Sequence, residues 1–266
     1  MQRLNADEMK WIQLNILDHI AEFCDKNKIN YWIDTGTLLG AIRHKGYIPW
    51  DDDIDIGMLR SDYDRFINLY KNTGKYKFYC VENNKRYSYP FGKVMDSDTV
   101  LYEPDKKGYK IAVYIDVFVY DNAPEDDSEV DNMYKKRDFY RYLRDQRMSR
   151  VHAGNKMRQF LVSIFWNLVK IIPGHFFCKL IVYNSRKYSK YETRRVGNFT
   201  SDSKIIVDKS VFHEFIKVEF EGKYYNAPIG YDMWLKAFYG DYMKLPPEEK
   251  RISKHIYEAY KNENKE

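Results

Sequence analysis

Asp51, Asp53 and Asp55 are separated by single residues, with Ile54 and Ile56 interleaved around the last of them. On an extended strand successive side chains point to opposite faces, so with both isoleucines turned inward the three carboxylates share the other face. Such a face invites a hard cation. Upstream, the apolar run 31–33 enters Thr35-Gly36-Thr37 and then a helix-like stretch, 38–42. That order puts free backbone N–H groups and the positive end of a helix beside the acids, where phosphate and metal can meet. A further carboxylate, Asp116, is the only charge in the run 111–120, where Ile111, Val113, Ile115, Val117 and Val119 alternate with other residues. A lone buried carboxylate costs several kcal/mol unless it is paired or metal-bound. Asp116 is therefore expected beside the first acidic cluster.

Other readings of the acidic stretch compete. A calcium loop of the EF-hand kind starting at Asp51 would need Gly at 56 and Glu at 62, but the chain has Ile56 and Asp62 there. The Asp-x-Asp of metal-dependent glycosyltransferases normally follows a long nucleotide-binding half, whereas only about fifty residues precede Asp53. A solvated acidic turn is the common fate of a charge run, yet it explains neither the interleaved isoleucines nor Asp116. No Ser/His/Asp or Cys/His constellation, Gly-x-Gly-x-x-Gly or Walker loop is present.

The combination of Gly36-Thr37, Asp53-Ile54-Asp55-Ile56 and Asp116 resembles the nucleotidyltransferase superfamily signature. The fuller string Thr35-Gly36-Thr37-Leu38-Leu39-Gly40-Ala41-Ile42-Arg43-His44-Lys45-Gly46 through Pro49-Trp50-Asp51-Asp52-Asp53-Ile54-Asp55 resembles the LicD family of phosphocholine transferases, relatives of the fukutin-related ribitol-phosphate transferases. The likeness returns at Ile115-Asp116-Val117-Phe118 and at Phe238-Tyr239-Gly240-Asp241-Tyr242 through Leu245-Pro246-Pro247 and Arg251, while the middle of the chain carries no transferable motif. The resemblance implies an α/β nucleotidyltransferase-like fold, a mixed sheet flanked by helices with a C-terminal helical and hairpin extension. It also implies transfer of a phospho-alcohol from CDP-choline, or another CDP-alcohol, to a sugar hydroxyl, with release of CMP. Asp53, Asp55 and Asp116 would hold Mg²⁺, or Mn²⁺, and act in catalysis. Asp116 would also accept the proton of the attacking hydroxyl. Gly36 and Thr37 would hold the pyrophosphate through backbone N–H groups. The acceptor would be a lipid-linked glycan precursor of teichoic acid, lipopolysaccharide or capsule, and not a nucleic acid. The rival enzymes are a conventional nucleotidyltransferase, which releases pyrophosphate, and a glycosyltransferase; a silent binding module is the non-enzymatic rival.

Arg43 and Lys45 suit phosphate oxygens, one as a fork and the other as a point charge, although both could be exposed loop cations. His44 could orient phosphate or acceptor, or simply pack. Lys93 follows Phe91-Gly92 on an expected strand and would contact nucleotide, or serve as an edge charge that blocks aggregation. Asp51, Asp241 and Arg251 rank lower as site residues. A choline site needs an aromatic face, but with 25 tyrosines abundance identifies none.

These residues need scaffolding, and the sequence supplies expectations for it. Asn5 and Glu8 form a capping box before a packing helix with Met9, Ile12, Ile16, Ile20 and Cys24 at helical spacing. Ser61 is expected to cap a second helix that ends near 72–74. Strands are expected at 77–82, 91–95, 99–103 and 111–120, and helices at 125–150, 157–170 and 176–190. A hairpin turns at Glu221-Gly222, a helix spans 231–239, and the rest is a polar, frayed tail. A soft boundary near 124 divides a catalytic core, 1–124, from an extension, 125–266, that closes the site.

At 266 residues, 31% charged and 17% aromatic, the chain suits a folded core rather than disorder or a membrane bundle. The net charge of +5 comes partly from the basic run between Lys135 and Arg150, which favours anionic partners. Cys24, Cys80 and Cys178 have neither paired nor metal-ligand spacing, which fits a reducing compartment. A cytoplasmic location, peripheral at the inner membrane face, is expected. The apolar stretch 160–172 is too short to span a bilayer, which needs about 20 residues, but could lie on its surface.

Overall fold

The computed structural model describes residues 1–102, 110–146, 167, 169–252 and 258–262. The alternating run around Asp116 forms the strand β8 (Tyr114–Ala123), which is central to a mixed sheet of seven strands. On one edge of β8 lies β3 (Asp55–Leu59), parallel to it, and beyond that β2 (Trp32–Ile33), antiparallel to β3. The other edge is shared. β5 (Gly92–Asp96) pairs with the first half of β8 and carries β4 (Tyr76–Tyr79). β9 (Arg195–Gly197) pairs with the end of β8 and carries β10 (Ile206–Asp208). The fold is thus a mixed α/β one, as expected, and strands from beyond residue 124 complete the sheet.

Among the described residues the α-helices are α1 (Ala6–Asn27), α2 (Thr35–His44), α3 (Arg60–Leu69), α4 (Asp127–Gln146), α5 (Gly174–Ser185) and α6 (Tyr231–Tyr239). The Asn5/Glu8 capping box is present at the start of α1, because both partners lie within one turn and nothing distant competes. Ser61 does not cap α3. That helix begins at Arg60 directly off β3, with Leu59 in the cap position and no side-chain cap bond, and it ends at Leu69 rather than near 72–74. The strand expected at 111–120 divides in two: β7 (Lys110–Ile111) belongs to a separate four-stranded sheet with β6 (Thr99–Tyr102). That sheet also contains β1 (Gln2–Arg3) and β13 (Glu258–Lys261), so this part of the expected frayed tail is a paired strand. The hairpin forms as β11 (Phe215–Phe220) and β12 (Lys223–Pro228), with Glu221 and Gly222 at the turn. The helix expected at 157–170 and the apolar stretch 160–172 lie largely outside the described residues. Among the described residues no helix is long and apolar enough to cross a membrane. All three cysteines are buried and free.

The core lies between the sheet and α1. Ile16, Leu17, Ile20 and Cys24 of the helix are fully buried, as are Ile54, Ile56 and Met58 around β3 and Ile115 and Val117 of β8. This burial is what drives α1 onto the sheet; each aliphatic side chain contributes about 1.5–3 kcal/mol. Gly57 of β3 lies opposite Trp32 in register. A Cβ there would come within 2.5 Å of the indole ring. Gly57→Ala is therefore expected to destabilise the protein by about 1–3 kcal/mol through overpacking, read as a lower midpoint in urea denaturation with an unchanged slope.

Candidate active site

Strand register assembles the site. In the parallel pairing of β3 with β8, Asp55 lies opposite Asp116. In the antiparallel pairing of β5 with β8, Lys93 lies opposite Asp116. Asp55, Asp116 and Lys93 therefore form one row across three adjacent strands, and the Lys93 ammonium donates to Asp116 Oδ1. The start of α2 is stapled to the same row. The Asp55 N–H donates to Thr37 Oγ1 at 2.9 Å, the Thr35 hydroxyl donates to Asp55 Oδ2, and the Asp34 N–H donates to the Asp55 carbonyl at 2.9 Å. Thr35 has φ 43°, a left-handed conformation that costs a β-branched residue about 1–3 kcal/mol and is held only by such surroundings.

The acids preceding β3 depart from the expected strand. Residues 51–54 are irregular and β3 begins only at Asp55, so alternation along one strand is not what gathers them. The loop is tied down instead. Gln13 of α1 donates to the Asp52 carbonyl at 2.9 Å, the Asp51 N–H donates to the Ile48 carbonyl at 2.8 Å, and the Asp116 N–H donates to the Ile54 carbonyl at 3.0 Å. Asp51, Asp52 and Asp53 each place one carboxylate oxygen within 4.8 Å of the others. A Cβ on Gly36 would lie 2.6 Å from Asp51 Oδ2, so the absence of a side chain there lets the carboxylate reach the start of α2. Burial, followed by the negative charges of Asp53 and Asp116, holds the Asp55 carboxyl well above the usual range. A set of oxygen donors this dense and this negative suits a hard divalent cation.

These groups open onto one cavity of about 1170 Å³, lined by Gly36, Arg43, Asp51, Asp53, Asp55, Lys93, Asp116 and Asp241 among the expected residues. Thr37, His44, Lys45 and Arg251 do not line it. Thr37 is buried and spends its hydroxyl on Asp55. Lys45 caps α2 in the left-handed conformation, and its carbonyl accepts the Glu221 N–H of the hairpin turn at 2.9 Å. Arg43 donates to His44 Nε2 at 2.9 Å and to the Tyr242 carbonyl at 2.7 Å, joining α2 to the C-terminal segment. Arg251 donates to the Pro246 carbonyl at 2.8 Å and lies 5.8 Å from the Trp50 ring, within cation–π range. Lys93 is 2% exposed, and its ammonium sits 3.4 Å from the Tyr114 ring centroid, 4.8 Å from Tyr89 and 5.3 Å from Phe91.

A residue that carried no signal in the sequence holds the site shut at the back. Asp34, fully buried, accepts from the Tyr120 hydroxyl of β8 and from Trp234 Nε1 of α6 at 2.9 Å. Burial pushes its carboxyl up, and these two donors pull it back. One carboxylate thus joins the sheet, the turn into α2 and the C-terminal helix. That helix brings Tyr239 over the acids: Tyr239 is 42% exposed, yet burial of its hydroxyl end and then the charges of Asp55, Asp34, Asp51 and Asp53 push its ionisation up. Gln13, Thr35, Arg141, Arg144 and residues 200–203 also belong to the site or its support and were not read from the sequence.

Fold and site together define an α/β protein whose sheet presents a row of acids to a large cavity beside a helix N-terminus. The chain belongs to the LicD family. The sequence profile of "LicD/FKTN/FKRP, nucleotidyltransferase domain" matches residues 28–152. The chain is 33% identical to the lipopolysaccharide cholinephosphotransferase LicD of Haemophilus influenzae over 275 residues, covering 98% of this chain and 99% of that one. It is also 50% identical over 34 residues to the human ribitol 5-phosphate transferase FKRP, a stretch that is 13% of this chain and 7% of the human protein.

Removing the Asp34 carboxylate leaves two buried donors without an acceptor, a loss of about 1–3 kcal/mol each. Asp34→Ala is expected to raise amide hydrogen exchange across Tyr231–Tyr239 while the amides of α1 keep most of their protection.

Proposed function

We propose that this protein transfers phosphocholine, or a similar phospho-alcohol, from a CDP-alcohol to a sugar hydroxyl of a cell-surface glycan precursor, releasing CMP. The observation that carries this reading is the row of Asp55, Asp116 and Lys93 set beside the start of α2 in one cavity. The near-full-length likeness to a lipopolysaccharide cholinephosphotransferase supports the choice of alcohol and acceptor class.

In this reading the sugar oxygen forms a bond to the phosphorus of the phospho-alcohol, the phosphoanhydride bond breaks, and CMP leaves with its oxygen. Asp51, Asp53 and Asp55, with Asp116, would hold Mg²⁺ or Mn²⁺, which supplies charge neutralisation for the diphosphate when bound. The chain does the rest by position. Backbone N–H groups at the start of α2 would hold phosphate oxygens, and Arg43 would face the same oxygens from the end of that helix. Asp116 takes the proton of the attacking hydroxyl. Lys93, already bonded to Asp116, keeps that carboxylate oriented. Tyr239 and its neighbours on the C-terminal segment would cover the donor and exclude water. A lipid-linked acceptor would bring the protein to the inner face of the cytoplasmic membrane.

A panel of CDP-choline, CDP-ribitol, CDP-glycerol and CTP, incubated with Mg²⁺ and lipopolysaccharide-derived oligosaccharides, tests the reaction by mass measurement of products. CMP together with an acceptor heavier by a phospho-alcohol is the expected outcome. Pyrophosphate from CTP would identify a conventional nucleotidyltransferase instead. Asp116→Asn is expected to lower kcat by about a hundredfold or more in the same assay, as loss of a proton acceptor does.

A further inference from the structure

β9 runs antiparallel to β8 with Gly197 opposite Asp121, so the chain leaving Gly197 heads back along β8 towards Asp116. It cannot remain in the sheet, because β5 already occupies that edge, with Gly92 opposite Val117. Residues 198–203 are therefore turned out of the sheet as a loop, and Thr200, Ser201, Asp202 and Ser203 line the cavity that contains Asp55 and Asp116.

Two buried side chains hold this loop still. Asn198, 1% exposed, accepts through Oδ1 from the Thr200 N–H, the Thr200 hydroxyl and the Ser201 N–H, each at 2.9 Å. Arg137 of α4, 0% exposed, donates to the Ser203 carbonyl at 2.6 Å, with its guanidinium 4.6 Å from the Tyr134 ring. Burying a guanidinium and an amide is costly unless they bond well, and here the bonds fix the backbone of four short polar residues. One turn further along α4, Arg141 pairs with Asp202 and lines the same cavity.

The chemistry of this wall selects its ligand. The Thr200 hydroxyl gives its proton to Asn198 and keeps lone pairs that accept, the Ser201 and Ser203 hydroxyls bond each other at 2.8 Å so that one of the two still donates, and Arg141 with Asp202 adds a donor and an acceptor of opposite charge. A phosphate only accepts, and the Asp202 carboxylate repels it. A neutral sugar ring matches on every count, since its hydroxyls also donate and accept. Phe118 lies two residues along β8 from Asp116 and lines the same cavity, adding apolar surface to it. We propose that the 200–203 loop with Arg141 is the acceptor subsite, holding a neutral polyhydroxylated sugar so that one hydroxyl reaches Asp116; this rests on the transfer reaction proposed above.

Saturation-transfer NMR tests it directly with methyl glycosides of glucose, galactose and N-acetylglucosamine, with CMP present. The wild-type protein should saturate the ring protons of at least one glycoside. Asp202→Asn, at a side chain that is 83% exposed and outside the core, and Arg141→Gln should weaken that signal about fivefold or more and leave the CMP signal alone. In turnover either variant should raise the KM for oligosaccharide acceptor about tenfold and that for CDP-choline less than about twofold. No glycoside saturation in the wild type, loss of the CMP signal instead, or an unchanged acceptor KM would overturn the assignment. Failure of every CDP-alcohol to yield CMP would sink the transfer reaction alone, because the glycoside signal is read without turnover.

Discussion

The parallel register of β3 on β8 is the constraint on which the site depends. It puts Asp55 beside Asp116, and through β5 it puts Lys93 on the other side of the same carboxylate. A slip of one residue would turn Asp55 into the core and Ile56 towards the cavity, so burial of Ile54, Ile56 and Met58 is what locks the acids in place. The cost is a cluster of like charges in a partly buried setting. It is offset locally by the Lys93 ammonium at Asp116, by the Thr35 hydroxyl at Asp55 and by the N-terminal end of α2.

The C-terminal third is bound to this centre by polar contacts of long sequence separation. Trp234 meets Asp34 across 200 residues, and Arg43 meets the Tyr242 carbonyl across 199. The hairpin joins from the other side, where Glu221 accepts the Tyr47 N–H at 2.9 Å and so sets the loop that leads into the acids. These bonds make the cavity a product of both ends of the chain. They also explain why motif residues in the tail, such as Asp241, line the same space as Asp53.

What could be read from the sequence was local or periodic. The capping box at Asn5 needs only Glu8, and the alternation around Asp116 is a period-two pattern that any buried strand shows. The break between β7 and β8 was invisible because Ile111 and Val113 continue the alternation, while the structure spends the Val113 N–H on Thr99 Oγ1 at 2.8 Å instead of on the ladder. Asp51 and Asp53 were placed near the right neighbours by the wrong geometry, since a loop anchored by Gln13 gathers them. Asp34 gave no signal, because its burial is decided by Tyr120 and Trp234, far away in sequence. The strand at Glu258–Lys261 is polar, and only its partners β1 and β6 make it a strand.

Donor binding that runs through the acids can be measured without turnover, by calorimetric titration of CDP-choline into the protein with and without Mg²⁺. The cavity chemistry predicts that saturating Mg²⁺ tightens binding about tenfold or more in the wild type and that Asp53→Asn abolishes this response. Equal affinity with and without the metal in the wild type would contradict it.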